Sequence, residues 1–508
     1  MTKKLSVSIL LAGLLLIALF SVSNQLQLWA QEPELKKSRP LPPVSQPFTD
    51  EAQSQIAADA QSVSSPYPLY GSGDFFLPPY LSDNDRMGYN KTSDHDTAPL
   101  KPGWYHGWST MDNPPHPGGA EFGQTIYFNI TGVSRCHSAT RHSQILANIS
   151  DADLISRAQA NPGAMWMIGN EPDSYFNGSP IHPHLYAELY HHYYTLIKNA
   201  DPDAKIAMGS VVQPSPKRME YLDKVLTHYQ ATYTETLKTD LWGIHLYRLN
   251  EAPCDGGWGA AIPPDSSGYG WHVNFSASDI LNLSKIEQSV RDFRQWMYDR
   301  GYGDVPLIVT EYGVLPPPSY SGFSDAAAAQ FLEDTFNMLL TATDSTTGLP
   351  ADGHRLVQLW SWFSTDHAPP AGYFKYGGDL FTSGGNLTVI GQRFQQMAAA
   401  HYTPYVDLQP APPATLIASS RAITVSAYIQ NRGNISAANV MAAVSIVDPA
   451  NGLTLSQRTL NMGTIERRYA GTSPQIAHTW QFTLSFPPTI TPPITSCRSA
   501  LTGGKWIT

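Results

Sequence analysis

Short apolar runs recur through the middle of the chain, most of them separated by stretches with a helical period. Eight read as buried strands: Arg86–Asn90, Trp104–Trp108, Gln124–Ile130, Ala164–Asn170, Lys205–Val212, Leu241–Tyr247, Pro306–Thr310 and Val357–Trp362. Between the later ones the period lengthens. Leu185, Leu189, Tyr193 and Ile197 share one helical face before Asp201-Pro202 closes the segment, and Ile286, Val290, Phe293 and Met297 do the same before Gly301. Strand–helix alternation predicts a parallel sheet, and eight such units over roughly 340 residues predict a closed (β/α)8, or TIM, barrel. The connections between the first three strands are short or irregular. A doubly wound open sheet is the alternative, but no glycine-rich phosphate fingerprint follows the first strand.

The pattern changes at both ends. Lys3 and Lys4 precede an apolar run from Leu5 to Val22, with small Ser21 and Ser23 at the spacing signal peptidase prefers. Residues 1–23 therefore read as a signal peptide or an uncleaved N-terminal membrane anchor, and either places the rest of the chain outside the cell. A polar stretch with Pro33, Pro40, Pro42, Pro43 and Pro47 reads as a Pro-rich linker over 24–65, leaving 66–405 for the barrel. Pro410, Pro412 and Pro413 mark a second linker over 406–413. Beyond it, Ile423-Thr424-Val425-Ser426-Ala427-Tyr428-Ile429 alternates with period two before the turn-like Asn431-Arg432-Gly433-Asn434. Residues 414–486 are expected to form a small all-β sandwich, and the segment QNRGNISAANVMAAVSI resembles the Ig-like accessory modules of bacterial surface proteins. The Pro- and Thr-rich residues 487–508 read as an unstructured tail.

Composition narrows the function classes. The 508 residues suit two or three units, and 42% hydrophobic against 15% charged residues allows a large core. A net charge of −10 argues against nucleic acid as a partner. Cys136, Cys254 and Cys497 make an odd count that defines no disulfide framework, so whether Cys136 and Cys254 pair stays open.

The chemistry concentrates at two strand ends. In MWMIGNEPDSY an apolar strand ends at Asn170-Glu171-Pro172, and in PLIVTEYGV another ends at Thr310-Glu311. A carboxylate closing a buried strand is costly unless it is used or paired. One such glutamate is often a solvated strand end, but two on the fourth and seventh of eight strands point to a site. Two carboxyl groups facing one cleft are what glycosidic bond cleavage needs: one protonates the leaving oxygen and the other attacks the anomeric carbon.

With these motifs the chain resembles glycoside hydrolase clan A, the retaining (β/α)8-barrel glycosidases, and more distantly its members of endo-β-1,3-glucanase type. The resemblance covers roughly residues 86–405 of the chain. It implies Glu171 as acid/base, Glu311 as nucleophile, and Asn170 on the sugar 2-hydroxyl. His245 and Tyr247 of LWGIHLYRL match a His-x-Tyr that orients the nucleophile and the sugar. Trp360 of LVQLWSWFS matches the sugar platform, although period two sends Trp360 and Trp362 to the same side of the strand. Trp104, which opens an aromatic start like that of the β-1,3-glucan enzymes, and Tyr312, beside the nucleophile, complete the expected substrate-binding set. The supporting arginine that many clan members carry near an early strand end has no equivalent beyond Arg135 and Arg141.

The expectation is thus an exported, monomeric, endo-acting β-glycosidase with a carbohydrate substrate and no cofactor. Its 12 Trp and 26 Tyr offer flat faces for sugar rings. The rival reading is a non-catalytic carbohydrate-binding surface protein on the same barrel. His182, His184, His191 and His192 look rich in metal ligands, but His191 and His192 sit on a tyrosine-rich helix without partnered Cys or carboxylate ligands, so no metal is expected there.

Overall fold

The computed structural model describes residues 23–29, 73–133, 136–175, 179–254, 258–369, 375–418, 422–447, 454–470 and 478–485. They fall into two compact units, one over Gly71–Thr403 and the other from residues before and after it. The Leu5–Val22 run, most of the N-terminal linker and the tail lie outside the described residues. No helix among the described residues is long and apolar enough to cross a membrane.

The first unit is a TIM barrel. Its parallel strands are β1 (Met87–Asn90), β2 (Trp104–His106), β3 (Glu121–Ile126), β4 (Met165–Ile168), β5 (Lys205–Met208), β6 (Trp242–His245), β7 (Leu307–Tyr312) and β8 (Leu359–Trp362). They hydrogen-bond in the order β5–β4–β3–β2–β1–β8–β7–β6. Bridges from Ala207 to Leu241 and from Val211 to Ile244 join β5 to β6 and close the ring. From β3 onward each strand is followed by a helix: α1 (Asp151–Ala160), α2 (Pro183–Ala200), α3 (Pro216–Tyr233), α4 (Leu283–Asp299), α5 (Asp325–Thr341) and α6 (Val389–Ala400). Their starts are written in the sequence. Ser150, Asn282, Ser324 and Thr388 accept a backbone N–H of the first turn, and Pro183 and Pro216 open α2 and α3. Only short 3-10 turns, Ala98–Leu100 and Pro117–Gly119, connect the first three strands.

Strand alternation builds two cores. Phe76, Trp104, Met165, Met167, Ala207, Leu241, Ile308 and Leu359 form one cluster in the barrel interior. Trp104 fits because Gly88 on β1 faces it: a Cβ there would come within 2.6 Å of the indole. The alternate residues, among them Trp166, Trp242, Val309, Tyr312, Trp360 and Trp362, pack outward against the helices in the larger cluster.

The third strand corrects the expected register. It runs Glu121–Ile126, while Phe128–Ile130 pairs antiparallel with Ile145–Ala147. The chain leaves the barrel at Tyr127, whose N–H is accepted by the Asn148 side chain and whose carbonyl accepts the Asn148 N–H. The apolar run hides that exit.

Cys136, in the loop after β3, is disulfide-bonded to Cys254, in the loop after β6. A crosslink between residues 118 apart removes much unfolded-chain entropy. The Cys136→Ser/Cys254→Ser double variant should lose about 2–4 kcal/mol of stability in denaturant titrations. An unchanged midpoint would show that the thiols do not pair.

In the second unit, β9 (Leu408–Ala418), β10 (Ala422–Asn431) and β13 (His478–Ser485) form one antiparallel sheet. Ser23–Trp29, β11 (Ala437–Val447) and β12 (Thr454–Ile465) form another. Two expected boundaries move. The 406–413 linker is largely strand: β9 starts at Leu408, and its register against β10 breaks between Ala411 and Thr415, across Pro412 and Pro413. Proline lacks the N–H for a ladder bond but is tolerated on an edge strand, as β9 is. Likewise 24–65 is not linker from its start, since the polar–apolar alternation of Gln25-Leu26-Gln27-Leu28 lies within a strand paired with β11.

Candidate active site

Glu171 and Glu311 meet at the C-terminal mouth of the barrel. One carboxylate oxygen of each, with a ring nitrogen of His245, all lie within 4.8 Å of one another. His245 stands between them: Nδ1 is 3.0 Å from Glu171 Oε1, and Nε2 is 3.8 Å from Glu311 Oε2. The Tyr247 hydroxyl donates to Glu311 Oε1 at 2.9 Å. Asn170 accepts a hydrogen bond from Trp108 Nε1 at 3.1 Å. Period two along β6 puts His245 and Tyr247 on the same side; both reach the glutamates.

Local backbone irregularity aims the two glutamates. Ile308 faces the barrel interior and Val309 the helices, so strict alternation would send Glu311 outward with Val309. The register of β7 shifts against both β6 and β8 between Val309 and Tyr312. Such a bulge re-aims a side chain, and Glu311 turns into the cleft. Beyond β4, Glu171 adopts a left-handed φ of 44°, a conformation that needs support from its surroundings. That support is visible: its N–H donates to the Ser210 carbonyl, and its own carbonyl accepts from Ser174 and Ser179 N–H groups.

Both glutamates are nearly buried. Burial, with Glu171 adding to it, pushes the Glu311 carboxyl up to about 7, against His245 and the Tyr247 hydrogen bond, which favour its charge. Burial works against a charged His245, yet Glu311 and Glu171 on either side hold its pKa above the ordinary value. Glu311 therefore holds its proton up to about neutral pH. In geometry the same three could also grip a divalent cation.

A second layer fixes this set. Asn90 Nδ2 and His106 Nε2 both bond the Thr310 carbonyl, at 3.0 and 2.6 Å, directly before Glu311. Burial depresses the His106 pKa to about 4, so the ring is neutral and its Nε2–H can donate. Among the described residues no arginine pairs with Glu311; Arg86 lies wholly buried at the opposite end, donating to the Leu339, Val357 and Gln358 carbonyls. Beneath the Glu171 loop, Arg218 is wholly buried. It pairs with Asp173 and, at 2.8 Å, with Glu251, and donates to the Ala261 carbonyl.

Five expected site residues are therefore brought together: Glu171, Glu311, Asn170, His245 and Tyr247. Three are not. Trp360 is wholly buried on the outer side of β8, between the Arg86 guanidinium and Phe336 of α5. Trp104 fills the barrel interior, with its indole N–H on the Arg86 carbonyl. Tyr312 points to the helix layer, packing on Trp362 and bonding Thr335. Period two decides Trp360 and Tyr312, which turn to the helix side, whereas Trp104 faces inward but lies one step deeper in the barrel than His106, on which it stacks. The aromatic rings that do line the cleft come from strand ends and loops. Trp108 and Phe363 contact edge to face with centroids 6.1 Å apart, and Tyr376 joins Phe363 at 5.8 Å. Phe363 continues the alternation of β8 opposite Trp360 and Trp362, the signal that could have found it.

No family model and no curated protein matches the sequence. Among solved structures, the chain is similar to a glucosidase from Croceicoccus marinus, at 14% identity over 69% of this chain and 76% of that one, with a TM-score of 0.40. It is also similar to a monomeric β-xylosidase from Caulobacter crescentus, at 16% identity over 55% and 50% of the two chains, with a TM-score of 0.32. A third is a Paenibacillus polymyxa xyloglucanase of glycoside hydrolase family 44, at 10% identity over 80% and 97%, with a TM-score of 0.36. At these scores the likeness decides nothing, and the barrel is read from its own closed ring of strands.

Proposed function

We propose that the protein is a retaining glycoside hydrolase acting on a β-linked oligosaccharide or polysaccharide. The observation that carries this is the pair of glutamate oxygens within 4.8 Å at the barrel mouth. An inverting pair holds its carboxyl groups roughly 6.5–9.5 Å apart to admit a water, so nearest oxygens this close favour the retaining spacing of about 5–5.5 Å between the groups. Glu311 attacks the anomeric carbon while Glu171 gives its proton to the departing oxygen, so the glycosidic bond breaks as a Glu311–glycosyl ester forms. Glu171 then takes a proton from water, which attacks the anomeric carbon, breaks its bond to the Glu311 oxygen and frees both sugar and Glu311. Two inversions leave the configuration unchanged. Tyr247 and His245 favour negative charge on Glu311, and Asn170 is placed for the sugar 2-hydroxyl. Trp108, Phe363 and Tyr376 supply apolar ring faces. Turnover of full-length protein on a panel of β-glucans, mannans, xylans and galactans, against the Glu171→Gln/Glu311→Gln double variant, tests the reading. Binding without turnover would favour the non-catalytic carbohydrate-binding protein instead.

The raised Glu311 pKa makes a pH prediction. Glu311 attacks as the carboxylate, so its proton must be gone before the first step. The kcat/KM profile should therefore fall on its acid side, below about pH 7. Tyr247→Phe removes a hydrogen bond that lowers the Glu311 pKa; the acid limb should move to higher pH while kcat drops. A limb that stays put would show that Tyr247 does not bear on this titration.

Export to the cell surface or medium belongs to the same proposal. Lys3 and Lys4 ahead of the Leu5–Val22 run support it, as does the Cys136–Cys254 disulfide, a bond typical of oxidising compartments. The C-terminal strands we read as an Ig-like accessory module, supported by their two antiparallel sheets.

A further inference from the structure

We propose that His182, His184 and Asp265 form a structural site for one divalent transition metal, Zn2+ by preference, that ties the loop carrying Glu171 to the loop after β6. The donor atoms of these three side chains all lie within 4.8 Å of one another, and His182 Nδ1 is 2.7 Å from Asp265 Oδ1. In a tetrahedral zinc site with bonds of about 2.0–2.2 Å the donors stand ~3.3 Å apart, so small side-chain shifts would seat the ion, with water as a fourth ligand. Two imidazoles and a carboxylate suit zinc, whereas calcium and magnesium favour oxygen ligands. Sequence proximity hides the set, because the carboxylate comes from a distant loop.

The cluster lies among further histidines and a carboxylate. The His228 ring contacts that of His184 edge to face at 5.7 Å. Glu188 bonds His228 at 3.1 Å and His142 at 2.6 Å, placing negative charge near the site. Lys224, the nearby cation, is engaged with the Asp265 carbonyl and with Glu220. Hydrogen bonds link the segments that carry His182 and Asp265 to the cleft. Ser179 N–H bonds the Glu171 carbonyl and Ile181 N–H bonds the Pro172 carbonyl, immediately before His182. On the other side, Arg218 donates to the Ala261 carbonyl ahead of Asp265. Only the importance of the Glu171 loop rests on the hydrolase reading; metal binding stands apart from it.

The test is calorimetric titration of untagged full-length protein, stripped with chelator, with Zn2+. One ion per chain is expected, with affinity at least tenfold weaker in His184→Ala and in Asp265→Ala. Binding should be unchanged in His192→Ala and in Glu311→Gln. Circular dichroism checks that each variant is folded, and Co2+ on the wild type should give the visible absorption of a tetrahedral site, bleached by Zn2+. Absence of binding by the wild type, or binding that survives His184→Ala, would overturn the proposal. So would loss in Glu311→Gln alone, which would put the ion among Glu171, His245 and Glu311.

Discussion

Glu311→Ala is expected to lose hydrolysis by ~10⁴-fold or more, the scale on which removal of a nucleophile acts, whatever the leaving group. Glu171→Ala should behave differently. Its loss is on the order of 10²–10⁴ for natural substrates, the usual contribution of a positioned acid, and small for aryl glycosides whose phenolate departs without a proton. With such a substrate the glycosyl ester on Glu311 still forms but waits for a general base. Azide, a small anion that needs no deprotonation, should enter the space left by the Glu171 side chain. The product should be a glycosyl azide with the configuration of the substrate. Equal behaviour of the two variants, or an azide of opposite configuration, would reverse the roles or the mechanism. The asymmetry follows from the site: Glu311 sits on β7 under the Tyr247 hydroxyl, and Glu171 on a loop at the end of β4.

Arg218→Met should cost about 3–5 kcal/mol, the penalty of leaving buried charge uncompensated. Asp173, Glu251 and Arg218 are all buried, and the guanidinium bonds both carboxylates. Burial already pushes the Asp173 carboxyl above its usual range, with Arg218 opposing the shift. With an unfolding entropy of ~2.1 cal/mol/K per residue over a barrel of this length, the melting temperature should fall by roughly 4–7 °C. Activity at a temperature where the variant is folded should fall as well, since Asp173 is two residues from Glu171 and accepts from the Val212 N–H. A shift under about 1 °C would be that of an exposed pair and would remove Arg218 as the anchor of the Glu171 loop.

How much of this was legible in the sequence depends on the range of each interaction. Apolar runs located seven of the eight strands and half of the third, because strand burial acts residue by residue. Glu171 and Glu311 were legible since each follows such a run, and the His245-x-Tyr247 spacing carried both side chains to the same side. Trp360, Trp104 and Tyr312 misled through residue type: an aromatic ring suits a sugar platform and a core equally, and only the outward phase of Trp360 and Tyr312 and the depth of Trp104 in the barrel interior separate them. The bulge that turns Glu311 into the cleft leaves no local mark. The Arg218 pairings span 45 and 33 residues, so they exist only once the barrel closes. Asp265 beside His182 was hidden for the same reason.

The most direct test of the central claim is mass spectrometry of the protein after incubation with activated 2-deoxy-2-fluoro-β-glycosides, which form the glycosyl ester but hydrolyse it slowly. One sugar should be found per chain, esterified to Glu311 in the peptide around Leu307–Tyr312. An adduct on Glu171, or turnover of the parent substrates with no adduct from their fluoro analogues, would contradict it.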